Sequence, residues 1–186
     1  MNDLVDNLHL IYNMTCIACK RNIDWIEISC DTQTSYYDFW NKETSKTKHQ
    51  TLVNSSKIYT ENWIVIWACW SVIESNLMKI FSRNHKPKSP DDYWMMEYMI
   101  EFKQRVSEKD SSIVLSNEYI IIYENRIYKC CWIDISEVNE YCAAWSWIFF
   151  ALSTLYLWFD TNKAVEVACE FDLYCWWDIL TIKVPL

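Results

Sequence analysis

Two thiols at short spacing are the most obvious candidates for chemistry in this sequence: Cys16 and Cys19, within Met14-Thr-Cys-Ile-Ala-Cys19. A thiolate pair at Cys-x-x-Cys spacing binds Cu(I) or Zn well, so a metal carrier is one reading; thiols without a metal are the other. The second candidate chemistry is aromatic. The chain holds 12 Trp, and facing indole rings bind a flat or cationic base by stacking. The basic loop Arg83, His85, Lys86 and Lys88 is a solvated loop on one reading and a phosphate site on the other. The histidines are His9, His49 and His85, and none stands beside a Ser or Cys in a nucleophile motif. A hydrolase is therefore not expected.

Composition narrows the classes. At 186 residues, 52% hydrophobic and 23% charged, the chain has the profile of one folded domain spanning 1–186. A net charge of −8 disfavours broad binding to a nucleic-acid backbone but leaves room for a pocket taking one nucleotide. Residues Met1 to Asp6 carry acids rather than the basic start of a secretory signal. A cytoplasmic protein with reduced thiols is expected, and nine cysteines cannot all pair within one chain. Glycine is absent, where average usage would give roughly 13. Asn and Asp are expected at left-handed positions instead, and glycine-dependent phosphate loops are excluded.

Strand-like runs lie at 8–12, 23–28 and 57–66, with a short helix through 36–40 between the second and third. The segment 72–81 is apolar and of either type. Ser89, Pro90, Asp91 and Asp92 form a strong helix start, followed by Met95, Met99, Phe102 and Val106 at helical spacing. Residues 119–123 and 127–133 read as a hairpin about Glu124-Asn125-Arg126. A third helix is predicted over 136–155, then three strand-like runs over 156–184. The uncharged stretch 141–159 is long enough to span a bilayer, but Ser146, Ser153 and Thr154 interrupt it, and a buried helix plus strand is preferred. The fold class is α+β: a curved antiparallel β-sheet backed by about three helices on one face.

The tryptophan spacing resembles the mRNA cap-binding family of translation initiation factor 4E. The similarity is carried by Asp38-Phe-Trp40, by Ile58 to Trp67, by Asp92-Tyr-Trp-Met95 and by Lys129-Cys-Cys-Trp132 with Asn139 downstream. It implies a non-enzymatic protein of translation initiation. Trp25 and Trp67 would sandwich a 7-methylguanosine base, Trp132 would touch its methyl group, and Arg126 and Lys129 would lie near the phosphates of capped mRNA. It also implies a surface of Trp40, Trp94 and Met95 that receives a helical peptide from a scaffold or repressor protein. No cofactor or membrane is implied. The alternatives are a ligand-less protein-interaction or structural domain of the same fold, and a metal-binding protein acting through Cys16 and Cys19.

Overall fold

A computed structural model of the chain describes residues 11–13, 16–32, 34–36, 50–52, 57–131, 133–145, 147–171 and 178–186. Among the described residues it forms thirteen strands and four helices, and the expected α+β class with antiparallel sheet holds. One sheet has the order β12 (Tyr141–Trp145), β2 (Cys16–Arg21), β3 (Trp25–Asp31), β13 (Ile179–Pro185). A second runs β11 (Asp134–Val138), β10 (Arg126–Cys131), β9 (Glu118–Tyr123), β7 (Ile64–Ala68), β6 (Ile58–Glu61). A small third sheet joins β5 (Gln50–Leu52), β4 (Thr34–Tyr36), β1 (Ile11–Asn13) and β8 (Trp70–Ser71).

Side-chain alternation along the strands builds four layers. Ile26, Ile28 and Cys30 of β3 and Ile17 and Cys19 of β2 face Val65, Trp67, Ile120 and Ile122 of the second sheet. The opposite faces of β7 and β9, with Ile64, Ile66, Ala68, Tyr119 and Ile121, bury Met78 and Phe81 of α1 (Val72–Ser82) and Met95, Tyr98, Met99, Phe102 and Val106 of α2 (Asp92–Lys109). The outer face of the first sheet offers the small side chains Cys16, Ala18 and Ala143. Against them pack Ala151 and Leu155 of α3 (Ile148–Tyr156) and Ala164, Val165 and Ala168 of α4 (Thr161–Glu170). Small residues on both sides let this helix layer sit close to its sheet. The order is helices, sheet, sheet, helices.

Turn chemistry without glycine is strained. Asn62 and Trp63 join β6 to β7, and Glu124 and Asn125 join β9 to β10, all four with positive φ. That is the geometry two-residue hairpin turns need. Trp145, Trp147 and Trp158 also have positive φ, a conformation that a bulky side chain adopts at a cost of about 1–2 kcal/mol.

Several expected elements are corrected. The helix start at Ser89 shifts to Asp91, whose carboxylate accepts the Trp94 N–H at 2.9 Å. The segment 72–81 is helix α1, opened by Ser71. The third helix predicted over 136–155 is instead β11, β12 and only then α3, because the positive-φ residues Trp145 and Trp147 bracket the passage from strand to helix. In the tail, α4 stands where strands were expected. The short helix at 36–40 falls mostly outside the described residues. No described helix is long and apolar enough to cross a membrane.

Candidate active site

The most unusual polar feature of the interior is an ion pair. Asp31, the last residue of β3, is fully buried, and so is the ammonium of Lys57 just ahead of β6. Lys57 Nζ donates to Asp31 Oδ2 at 2.9 Å, and the backbone N–H of Cys16 donates to Asp31 Oδ1 at 2.8 Å. Burying two charges is expensive, and apolar residues of equal size often stabilise a fold as well or better. A pair retained at this depth is therefore a functional-site candidate.

The pairing registers place this pair at one end of the first sheet. There β2 begins at Cys16, β3 ends at Asp31, β12 ends at Trp145 opposite Cys16, and β13 begins at Ile179 opposite Asp31. Helix α3 starts three residues after Trp145, so its first turn, the positive end of its dipole, lies at the same sheet end. Its N-cap, Trp147, provides no side-chain cap. On the same face of β3 as Asp31 stand Ser29 and Glu27, both buried. Glu27 Oε1 accepts the Thr161 hydroxyl at 2.7 Å and the Thr161 N–H at 3.1 Å, which anchors the start of α4. Ser29 Oγ lies 2.6 Å from Thr161 Oγ1 and 2.8 Å from Thr181 Oγ1. This network fixes β3 and so the carboxylate at its end. Burial pushes the neighbouring Cys30 thiol well up, and the Lys57 charge only partly offsets it; the Cys30 side chain lies between the sheets, on the other face of β3.

The residues singled out from the sequence are dispersed. Trp67 is fully buried between the sheets. Trp25 is on the outer face of β3, the face of Glu27 and Asp31, with Lys183 Nζ 4.8 Å above its ring. The first sheet lies between the two indoles, so they cannot sandwich a base. Trp132 and Trp40 lie outside the described residues. Arg126 is paired with Glu137 at 3.0 Å and Lys129 with Glu118 at 2.8 Å, so both cations already have carboxylate partners. Met95 points into the core, while Trp94 is half-buried with Lys88 Nζ 4.4 Å over its ring. The two do not share an exposed peptide-binding face. Cys16 and Cys19 are three apart on a strand and so face opposite ways, Cys16 toward α3 and α4 and Cys19 into the space between the sheets. They cannot chelate one ion, and no metal-ligating cluster occurs among the described residues.

Sequence reasoning missed Asp31 and Lys57. Asp31 reads as a turn residue and Lys57 as the polar start of a strand. The available signal was the alternation Glu27, Ser29, Asp31 on one face of an otherwise apolar strand.

No family model matches the chain, and no curated protein matches it. Solved structures do. The BPH protein of Thiobacillus denitrificans, solved in complex with epoxomicin, superposes with a TM-score of 0.72 at 15% identity, over 92% of this chain and 98% of that one. The eukaryotic HslV of Trypanosoma brucei gives 0.66 at 13% identity, over 92% and 99%. Anbu, the ancestral β-subunit from Yersinia bercovieri, gives 0.64 at 9% identity, over 92% and 81%. The chain shares the fold of these three proteins. This corrects the cap-binding reading, and with it the expectation of a non-enzymatic translation factor with capped mRNA and a helical peptide as partners.

Proposed function

We propose that the chain is a peptidase of the N-terminal nucleophile type, with Thr15 as the nucleophile. The observation that carries this reading is the buried Lys57–Asp31 pair, held against the backbone N–H of Cys16, in a chain with this fold. Thr15 lies outside the described residues, but in sequence it directly precedes Cys16. Cleavage of the Met14–Thr15 bond frees an α-amine beside a hydroxyl, the nucleophile-and-base pair of terminal threonine enzymes.

In the reaction the Thr15 hydroxyl oxygen attacks the substrate carbonyl carbon, and its proton passes to the Thr15 α-amine. That proton then goes to the departing amine as the peptide C–N bond breaks. Water hydrolyses the resulting ester and restores the hydroxyl. Lys57 provides fixed positive charge that favours the deprotonated oxygen, and Asp31 holds Lys57 in place. The eight described cysteines form no disulfide with one another, which supports a reducing, cytoplasmic setting.

The test is N-terminal sequencing and intact mass of the purified protein, with turnover of a panel of fluorogenic peptide amides. Expected are an N-terminus at Thr15, measurable turnover, and loss of turnover in a folded Thr15→Ala variant with partial return in Thr15→Ser. A Thr15→Ala protein that keeps full turnover, or a folded wild type that neither processes itself nor cleaves any peptide, overturns the proposal.

A further inference from the structure

Two thiols face each other inside the molecule. Cys19 of β2 stands directly opposite Cys142 of β12 in the antiparallel register. Both side chains point into the space between the first and second sheets. Cys19 is fully buried, Cys142 is 7% exposed, and the two thiols are in hydrogen-bond contact. Directly opposed residues of an antiparallel pair have Cα atoms about 4.5–5.5 Å apart. A disulfide spans about 4.4–6.8 Å between Cα atoms, so this pair meets the requirement with no backbone movement. No other two described cysteines do so across a ladder. Cys16, Cys30, Cys130 and Cys131 face other residue types, and Cys69 and Cys169 are not in strands. Cys30 shares the inward face of Cys19 but is only its diagonal neighbour, about 7–8 Å away.

We propose that Cys19 and Cys142 are an oxidisable dithiol, which a small disulfide such as glutathione disulfide converts into a cross-strand bond. Access comes from the edge of the sheet. Among the described residues β12 has β2 as its one strand neighbour, so β12 opens locally by giving up a single ladder. Cys142, the more accessible thiol, then loses its proton to solvent, and its sulfur attacks one sulfur of the small disulfide. That S–S bond breaks, and one small thiolate leaves and takes up a proton. Cys19 next gives its proton to water, its sulfur attacks Cys142 Sγ in the mixed disulfide, and the second small thiolate leaves. The protein has lost two protons and two electrons, which end on two small thiols. Burial pushes the Cys19 thiol up, so this second step waits on the opening of the strand. Once closed again, the bond ties the edge strand to its neighbour. It also closes a loop through most of the chain, which stabilises the folded form.

The inference is independent of the peptidase proposal, because it rests on the strand register alone. The test equilibrates the native protein overnight in glutathione buffers of rising oxidised share. Free thiols are then blocked in denaturant, and intact mass and linked peptides are read by mass spectrometry. The expected result is a species lighter by two hydrogens, with fragments that join Cys19 to Cys142. Exposed Cys131 should instead carry a glutathione adduct, which differs in mass. Oxidation should raise the urea midpoint by about 1–2 M, and dithiothreitol should reverse the rise. Cys142→Ala should lose the rise, and Cys131→Ala should keep it. A wild type that remains reduced at both positions in millimolar glutathione disulfide overturns the proposal, whether or not the variants fold. So does a bond that joins Cys19 to another cysteine, and so does a folded Cys142→Ala protein that keeps the full rise.

Discussion

Replacing Lys57 by Met removes one half of the buried ion pair at similar side-chain volume. Asp31 then keeps its hydrogen bond from Cys16 but loses the ammonium at 2.9 Å. Both side chains are essentially inaccessible, at 1% and 0%, so water cannot take the place of the lost charge. Removing one partner of a buried ion pair costs about 3–5 kcal/mol. At about 2 kcal/mol per molar urea this moves the unfolding midpoint down by about 2 M. In a thermal scan it lowers Tm by about 6–20 °C. The second arm adds Asp31→Asn to Lys57→Met, which removes both charges and should recover most of the loss. Urea unfolding of the four proteins followed by far-ultraviolet circular dichroism gives the cycle. A Lys57→Met midpoint within about 0.3 M of wild type, or a double variant less stable than the two single losses added together, would refute the claim that these charges are buried against each other.

Trp63→Gly should stabilise by up to about 1.5 kcal/mol in the same assay. It relieves about 1–2 kcal/mol of left-handed strain against about 0.5–1 kcal/mol for glycine's extra freedom, and the ring, 87% exposed, forfeits little burial; a loss of stability above 1 kcal/mol counts against the strain argument. Burial pushes the Glu74 carboxyl above its ordinary value of 4.5, against hydrogen bonds from Ser116, Tyr119 and Asn117 that pull it down. A raised folded-state pKa means a contribution fully present below the unfolded value and lost as pH rises through the folded one, so the stability difference between wild type and Glu74→Gln should shrink from pH 4 to pH 7, and a difference that grows contradicts this. Brief alkylation of the native protein, read by peptide mass spectrometry, should label exposed Cys131 well before buried Cys19, Cys30 and Cys69, whose thiols burial pushes up; equal labelling would mean the sheets open readily. A 7-methylguanosine nucleotide at millimolar concentration should leave tryptophan fluorescence unchanged, since Trp67 is enclosed between sheets, and saturable quenching would restore the stacking reading.

The parts legible in the sequence were those whose signals are local. The β9–β10 hairpin announces itself by two apolar runs about Glu124-Asn125, and α2 by its acidic cap and by Met95, Met99, Phe102 and Val106 at helical spacing. The region 134–159 was misread because its breaks fall at Trp145, Trp147 and Trp158. A tryptophan in a left-handed turn gives no turn signal, so two strands and a short helix merged into one long apolar helix. Of the tryptophans that suggested a base sandwich, Trp67 is a core residue and Trp25 a half-buried residue on the outer face of β3. The site was illegible for a different reason. Asp31 and Lys57 are 26 positions apart, and only the crossing of β3 by the chain entering β6 makes a pair of them. Nothing local marks a charge that will be buried.

Strand β1 has a consequence for timing. It lies in the small sheet, held by β4 and β8 through three residues, while β2, two residues later, lies inside the first sheet. A cut between Met14 and Thr15 would sever the covalent link from β1 to β2, leaving β1 its ladder and its packing against α1. A three-residue strand without covalent support cannot hold its place in water for long, and once it diffuses off, rejoining at cellular dilution is negligible. The step would act as a one-way latch. Departure of β1 also strips the partner from β8, whose Ser71 caps α1 through the Glu74 N–H, so the loss at one end of the chain would register at the start of a helix in the opposite outer layer.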